Sequence, residues 1–297
     1  MQRIAAIVVT YNRIKLLKQC IEHLQMQTYP CDILIVNNAS TDETEQVVEE
    51  MIDRFPNLKY RNTGANIGGA GGFNFGMKWA VQDGYDYLWV MDDDCLPKED
   101  ALEKLVEADK ILKGNYGWLA SAVLWKDGSI CKMNIPRKTM FKNVDDFQTP
   151  LVEVKMASFV SLFVKTKIVK KYGLPIKEFF IWTDDWEFTR RISINKICYL
   201  VNQSIVVHHS SSNIGANVAN DSVERIERYR YLYRNDVVLW RREGTKGFIY
   251  EFLRLTVHSL KVIFNSSNSK WKRLKCIVLG TWNGLFFRPD VDKFSNK

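Results

Sequence analysis

The 297-residue sequence contains little that would staple the chain or thread it through a membrane. Its six cysteines, at 20, 31, 95, 131, 198 and 276, include no CxxC or CxxxC pair. That spacing argues against a zinc site and a disulfide framework, and fits a reducing compartment. No run approaches the ~18 uncharged apolar residues that a membrane span needs. The N-terminal residues lack an apolar stretch ending in a small-residue cleavage site, so Ile4–Thr10 reads as a buried strand and not as a secretory signal. GxGxxG is absent and no glycine follows the first strand, which excludes the dinucleotide-binding fingerprint. There is no internal repeat and no low-complexity linker.

What is present is an ordinary globular composition, 46% hydrophobic and 26% charged, long enough for one large domain or a domain with an appendage. The formal charge of +8 is unevenly placed. Residues 224–297 hold 16 Lys+Arg against 7 Asp+Glu, leaving residues 1–223 at −1. A near-neutral body with a basic end is not a nucleic-acid coat; it points to an anionic partner for the last quarter. The boundary falls between residues 1–222 and 223–297.

The first half alternates strand and helix signals. Ile4–Thr10, Ile33–Val36, Leu58–Arg61 and Tyr87–Met91 read as buried strands. Leu16, Leu17, Cys20, Ile21 and Leu24 recur at helical spacing, and Ser40 or Thr41 can cap a helix over roughly 42–54. Another helix runs to about Val81, and Pro97 stands where a further helix could begin. Repeated βα units imply a mostly parallel, Rossmann-like sheet flanked by helices, with ligands beyond the carboxyl ends of the strands. Residues 115–165 break into shorter strands, followed by a helix near 166–172.

Five constellations could carry chemistry. Asp92-Asp93-Asp94 follows a strand, and Asp92 and Asp94 point the same way in extended chain, so both can reach one hard cation such as Mg²⁺ or Mn²⁺. Trp182-Thr183-Asp184-Asp185-Trp186-Glu187 fits a capping box of Asp184 with Glu187, placing Asp185 in a first helical turn as a general base. Glu187 also has Arg191 four residues on. His208-His209 ends an apolar run, with His208 the better choice to face the site and His209 the alternative. Asn62–Phe73 carries glycines that let backbone approach a ligand at a helix start. The last is the basic, aromatic end. Arg228–Asn235 interleaves guanidiniums and phenols, which suits phosphate. Between Phe248 and Phe264 the polar residues Glu251, Arg254, His258 and Lys261 fall at steps of 3, 4 and 3 in a largely apolar helix, and Lys270, Lys272, Arg273 and Lys275 surround Trp271. That pattern reads as an interfacial membrane helix.

Together these residues resemble the inverting family 2 glycosyltransferases of GT-A fold. The landmarks are Thr10-Tyr11-Asn12-Arg13, Asn37-Asn38-Ala39-Ser40-Thr41-Asp42, Asn66-x-Gly68-Gly69-x-Gly71-Gly72-Phe73, Asp92–Asp94, Trp182–Glu187, His208 and Tyr231-x-x-Arg234-Asn235. The doubled glycines with Asp-Asp-Asp are most similar to galactofuranosyltransferases, with rhamnosyltransferases close behind. The resemblance implies an α/β GT-A domain with a C-terminal helical appendage. It implies UDP-sugar binding by Thr10, Tyr11, Asn12, Arg13, Asn37, Asn38, Asn66, Gly68, Gly69, Asp92 and Asp93. Mn²⁺ or Mg²⁺ would sit on Asp92, Asp94 and His208, or His209. Asp185, or Asp184, would be the base, while Trp182, Trp186, Glu187, Tyr231, Arg234 and Asn235 would meet acceptor or phosphate. Two positions depart from the family pattern: Asn37 stands where many members carry Asp, and Thr183 separates Trp182 from the acids.

The expected reaction moves galactofuranose from UDP-galactofuranose to a lipid-linked glycan in cell-surface polysaccharide synthesis, on the inner face of the cell membrane. A dTDP-rhamnose donor, or sugar-nucleotide binding without turnover, are the alternatives. A homo-oligomer is compatible with the sequence, and nucleic acid is not an expected partner.

Overall fold

The computed structural model describes residues 2–294. In chain order the elements are β1 (Ile4–Thr10), α1 (Ile14–Gln25), β2 (Asp32–Asn37), α2 (Thr44–Ile52), β3 (Leu58–Asn62), α3 (Gly68–Gln82) and β4 (Tyr87–Asp92). There follow β5 (Cys95–Pro97), α4 (Ala101–Ile111), β6 (Trp118–Trp125), β7 (Leu151–Val154), β8 (Leu162–Lys165), α5 (Thr166–Tyr172), α6 (Asp184–Ser193) and β9 (Cys198–His208). Three helices close the chain: α7 (Tyr229–Arg241), α8 (Gly244–Asn265) and α9 (Lys270–Phe286).

β-Branched runs buried on both faces make the centre of one sheet, ordered β3-β2-β1-β4-β8-β6-β9-β5. The β3-β2-β1-β4 half is parallel, as the βα repeats require. β8 then enters antiparallel beside β4, β6 and β9 pair in parallel, and β5 and β7 lie antiparallel on different stretches of β9. Alternate β1 side chains feed opposite cores. Ile4, Ala6 and Val8 meet Leu17, Cys20 and Ile21 of α1, while Ala5, Ile7 and Val9 meet Phe73 and Met77 of α3. Each fully buried aliphatic chain is worth about 1.5–3 kcal/mol of transfer free energy. All six cysteines are buried as free thiols.

Three local expectations are not met. Pro97 does not open a helix: Cys95–Pro97 pairs with His208–Val206, and α4 waits until Ala101. Asp42, not Ser40 or Thr41, accepts from the Thr44 amide at 3.1 Å at the head of α2. The Asp184–Glu187 capping box does not form. Asp184 is already helical, Thr183 is the cap residue, and Glu187 turns to Arg191 at 3.0 Å and to Arg242.

The terminal helices are bonded into the body. Arg190 of α6 pairs with Glu243 at 2.7 and 2.8 Å, Glu187 with Arg242, and Thr183 with Asp236 of α7. α8 is inverted relative to an ordinary surface helix. Its polar stripe faces inward: Glu251 is buried beside Arg254, and the Tyr233 hydroxyl lies 3.0 Å from His258 Nδ1. Phe248, Ile249, Phe252, Leu253, Val257, Leu260, Ile263 and Phe264 are exposed. Trp271, Val278, Trp282 and Phe286 of α9 continue that apolar surface, Trp271 at 85% exposure. No helix among the described residues is long and apolar enough to cross a membrane.

Candidate active site

Parallel register brings the carboxyl ends of β1, β2 and β4 level, with Thr10 opposite Asn37 and Val9 opposite Asp92. The loops that leave these ends build the site. The Thr10 hydroxyl donates to Asp93 at 2.7 Å, and one Arg13 nitrogen lies 3.2 Å from Asp93 and 2.9 Å from Asp94. One half-exposed guanidinium therefore serves two buried carboxylates. Burial and then Arg13 act in opposite directions on Asp93, which ends at about 6. Asp92 keeps some surface open, yet close packing around it, and then Asp94, hold it up to about 7.

Asp94 faces His208 across 3.2 Å, Oδ1 to Nε2. Burial alone would raise Asp94, but His208 and Arg13 outweigh it and leave the carboxyl below its usual range. The reverse holds for His208: burial opposes its charge, Asp94 prevails, and the ring rises to about 10. Its Nδ1 lies 2.8 Å from Asn134 Oδ1, and Asn134 also accepts from the Cys131 thiol at 3.0 Å. His209 donates its amide to the Asp94 carbonyl at 2.8 Å, fixing the strand end.

Whether these donors suit a divalent ion can be judged from Asp94 Oδ1, which is buried and has no donor among the described residues apart from the His208 ring nitrogen. A buried carboxylate oxygen beside an imidazole nitrogen is a donor set that fits a hard cation. The third predicted ligand, Asp92, is a close electrostatic neighbour of both. Even so, no group of three His, Cys, Asp or Glu side chains among the described residues is assembled to hold an ion.

The second loop is laced to the first. Asn12, at φ +55°, accepts from the Thr41 amide at 2.7 Å through its side chain and donates its own amide to Ser40 Oγ at 2.9 Å. Asn37 is fully buried, donating to the Tyr60 hydroxyl at 2.8 Å and accepting from the Ser40 amide at 2.8 Å. Asn38, also buried, donates to the Gly68 carbonyl at 2.8 Å. These two amides shape the pocket wall; their polar atoms are engaged within the protein. Tyr11 is exposed at the rim. Asn66 accepts from the Gly68 amide at 3.0 Å, while Gly69 faces open space.

Gly68 is required by geometry. It sits at φ +74°, and a Cβ there would lie 2.1 Å from the Phe180 carbonyl oxygen. That same oxygen accepts from the Ala70 amide at 3.1 Å, so the segment before α6 is seated on the start of α3. The segment itself is contorted: Phe180, Trp182 and Thr183 all have positive φ, near 65°. Asn235 holds it by donating to the carbonyls of Phe179, Ile181 and Trp182 at 2.9, 3.1 and 3.0 Å. Arg234 adds bonds to the Glu178 and Phe179 carbonyls, and Tyr231 stacks on Phe180 at 5.0 Å. Three of the six residues expected to meet acceptor or phosphate, Tyr231, Arg234 and Asn235, are thus engaged with this segment. Glu187, buried between two arginines, is occupied in the same way.

This latch presents Asp184 and Asp185 at the first turn of α6, where the helix dipole favours their charge. Burial, and then Asp185, push Asp184 well above its ordinary value, and Asp92 is near enough to add to that effect. Burial raises Asp185 to about 7, partly relieved by the Trp186 amide, which donates to it at 2.7 Å. Trp182 packs on Tyr229 and Trp186 under the Arg137 guanidinium. Asn134, Thr183 and Asp236 escaped the sequence reading. No local pattern marks Asn134 or Asp236, whereas the Thr between Trp182 and the acids was the visible clue.

Residues 5–117 match the family described as Glycosyl transferase family 2. The galactofuranosyltransferase GlfT1 of Mycolicibacterium smegmatis is 35% identical over 96 residues, covering 32% of this chain and 31% of that protein. GlfT1 of Mycobacterium tuberculosis is 25% identical over 206 residues, covering 64% of each. The matches thus span 31% and 64% of these relatives' lengths. The crystal structure of Staphylococcus aureus TarS 1-349 in complex with UDP superimposes with a TM-score of 0.55 at 17% identity, covering 93% of this chain and 70% of that one. A likeness at that identity establishes the fold.

Proposed function

From a chain whose residues 5–117 match the family 2 glycosyltransferases, we propose an inverting sugar transferase that takes galactofuranose from UDP-galactofuranose and places it on a hydroxyl of a lipid-linked glycan. The observation that carries this reading is the Asp184–Asp185 pair at the head of α6, Asp184 buried and Asp185 half-buried, with Asp92 within electrostatic reach of Asp184. The GlfT1 relatives support the choice of sugar, and the TarS–UDP complex supports a uridine donor.

A sugar hydroxyl is a weak nucleophile until its proton begins to leave. Asp185, raised to about 7 by burial, is suited to accept that proton; Asp184, the more buried of the two, is the second choice. Tyr11 offers an exposed ring for a nucleobase, and open backbone at Gly69 admits a ligand closely. Arg13 holds Asp93 and Asp94 in place. Asp94 and His208, with Asp92 beside them, would hold Mn²⁺ or Mg²⁺, which when bound neutralises the charge gathering on the leaving nucleoside diphosphate. One displacement with the two substrates held in line inverts the anomeric centre and leaves no covalent enzyme intermediate.

The exposed apolar surface of α8 and α9 supports peripheral attachment to an anionic membrane, on the inner face, where a lipid-linked acceptor would be met. The test is a donor screen with Mn²⁺ or Mg²⁺, UDP-galactofuranose against dTDP-rhamnose, on short lipid-linked acceptors, with products identified by mass spectrometry. Galactofuranose in the product supports the reading, and rhamnose would replace the donor. Tight UDP–Mn²⁺ binding without any product would leave a sugar-nucleotide-binding protein.

A further inference from the structure

We propose that Asp236 of α7, itself held by Arg254 of α8, is a positioning residue for the carboxylate pair at the head of α6, acting through the hydroxyl of Thr183. The proposal rests on the transferase reading above.

Thr183 is the residue that turns the chain into α6. Its φ is +68°, a left-handed conformation that a β-branched residue adopts only when its surroundings impose it. Its carbonyl accepts the Glu187 amide at 2.8 Å and starts the helical ladder. Its hydroxyl donates to Asp236 Oδ1 at 2.6 Å. The other oxygen of Asp236 lies 2.5 Å from Arg254, and Arg254 reaches Glu251 at 2.8 and 3.0 Å. Thr183, Asp236 and Glu251 are all buried, so each polar atom depends on the others and not on water.

The preceding residue on α7, Asn235, grips the carbonyls of Phe179, Ile181 and Trp182. Two consecutive α7 residues therefore fix the backbone up to the peptide before Asp184. Rotation at Thr183 would swing Asp184 and Asp185 together, because both follow it directly in the first turn. A displacement of about 1 Å at a reacting group can cost about 10²-fold in rate. α7 and α8, which lie beyond the family-matched segment, thereby complete the site.

The test uses the full chain with UDP-galactofuranose and Mn²⁺ and compares kcat with donor KM. Thr183→Val, which keeps the shape and removes the hydroxyl, is expected to lower kcat about 10- to 100-fold while donor KM changes less than about threefold. Thr183→Ser, which restores the donor, is expected to recover kcat. Asp236→Asn keeps an acceptor for Thr183 but loses the charge facing Arg254, and is expected to fall between them. The two Thr183 variants carry the test even where removal of the buried Asp236 carboxylate prevents folding. Unchanged kcat in Thr183→Val, or a failure of Thr183→Ser to rescue, overturns the proposal. A wild-type chain that binds UDP–Mn²⁺ but transfers no sugar instead defeats the transferase reading, and the two failures are distinct.

Discussion

Asp94 Oδ1 is buried 3.2 Å from His208 Nε2, and no other group among the described residues donates to it. A carboxylate oxygen in that position is stabilised by a cation. Removal of divalent metal by chelation is expected to abolish turnover, and Mn²⁺ or Mg²⁺ to restore it. Asp94→Ala is expected to lower kcat by about 10²-fold or more, the scale seen when a preorganised charge-stabilising group is lost. Turnover that persists after exhaustive chelation would remove the metal from the scheme.

A base works only when ionised, which sets the sign of the pH dependence. Burial holds Asp185 up to about 7, so its ionised fraction, and kcat with it, is expected to fall as pH drops through 7. The same shift acts oppositely on stability. The folded chain binds this proton more tightly than the unfolded one, so the contribution is full below the unfolded value of about 3.9 and is lost as pH rises through 7. Asp185→Asn is expected to lower kcat by about 10²- to 10⁴-fold with UDP binding retained. A kcat that survives in that variant, measured by product formation, moves the base to Asp184.

Gly68 is expected to tolerate no side chain. An added methyl would meet the Phe180 carbonyl oxygen at 2.1 Å and would stand at φ +74°. Gly68→Ala should cost about 1–3 kcal/mol for the strained backbone alone, visible as a lowered Tm. Loss of the seat for residues 180–183 should depress turnover as well. Wild-type Tm and kcat would contradict this account of the loop.

The outward apolar face of α8 and α9 gives a prediction for vesicles. Phe252→Ser and Trp271→Ser each remove an exposed aromatic that a bilayer interface would bury. At about 1.5–3 kcal/mol for a large buried side chain, each should weaken binding to anionic vesicles about tenfold or more. Sedimentation with liposomes of anionic and zwitterionic lipid measures both the apolar and the charge contributions, the latter about 1 kcal/mol per basic residue near the surface. Point changes are preferable to truncation because α8 also supplies Arg254 to the buried Asp236.

The strands that carry the site were legible because their signals are local. Ile4–Thr10 and Tyr87–Met91 are short apolar runs, and the residues just past them are where a parallel sheet must bind. Repeated glycines likewise marked the start of α3. What could not be read depends on partners distant in the chain. Pro97 belongs to a strand because His208–Val206 comes alongside it more than a hundred residues later. Glu187 leaves the capping box because Arg242 reaches it from beyond α7. Asn235 sits in a run of arginines and tyrosines that looks like a phosphate site, and only the folded chain reveals three carbonyls around its amide. In α8 the spacing of Glu251, Arg254 and His258 was plain in the sequence. Spacing alone cannot say which face turns inward, and here the buried Asp236 and Tyr233 draw the polar one.

The burial of all six thiols has a practical consequence. A thiol must be reached before it reacts, and burial denies that access to the native cysteines. One cysteine placed on the outer face of α8 or α9, at Val257 or Val278 for example, would thus be the preferred target of a maleimide dye or spin label on the folded protein. A row of such single-site labels could map how deeply each helix sinks into a lipid surface, without first removing any native residue.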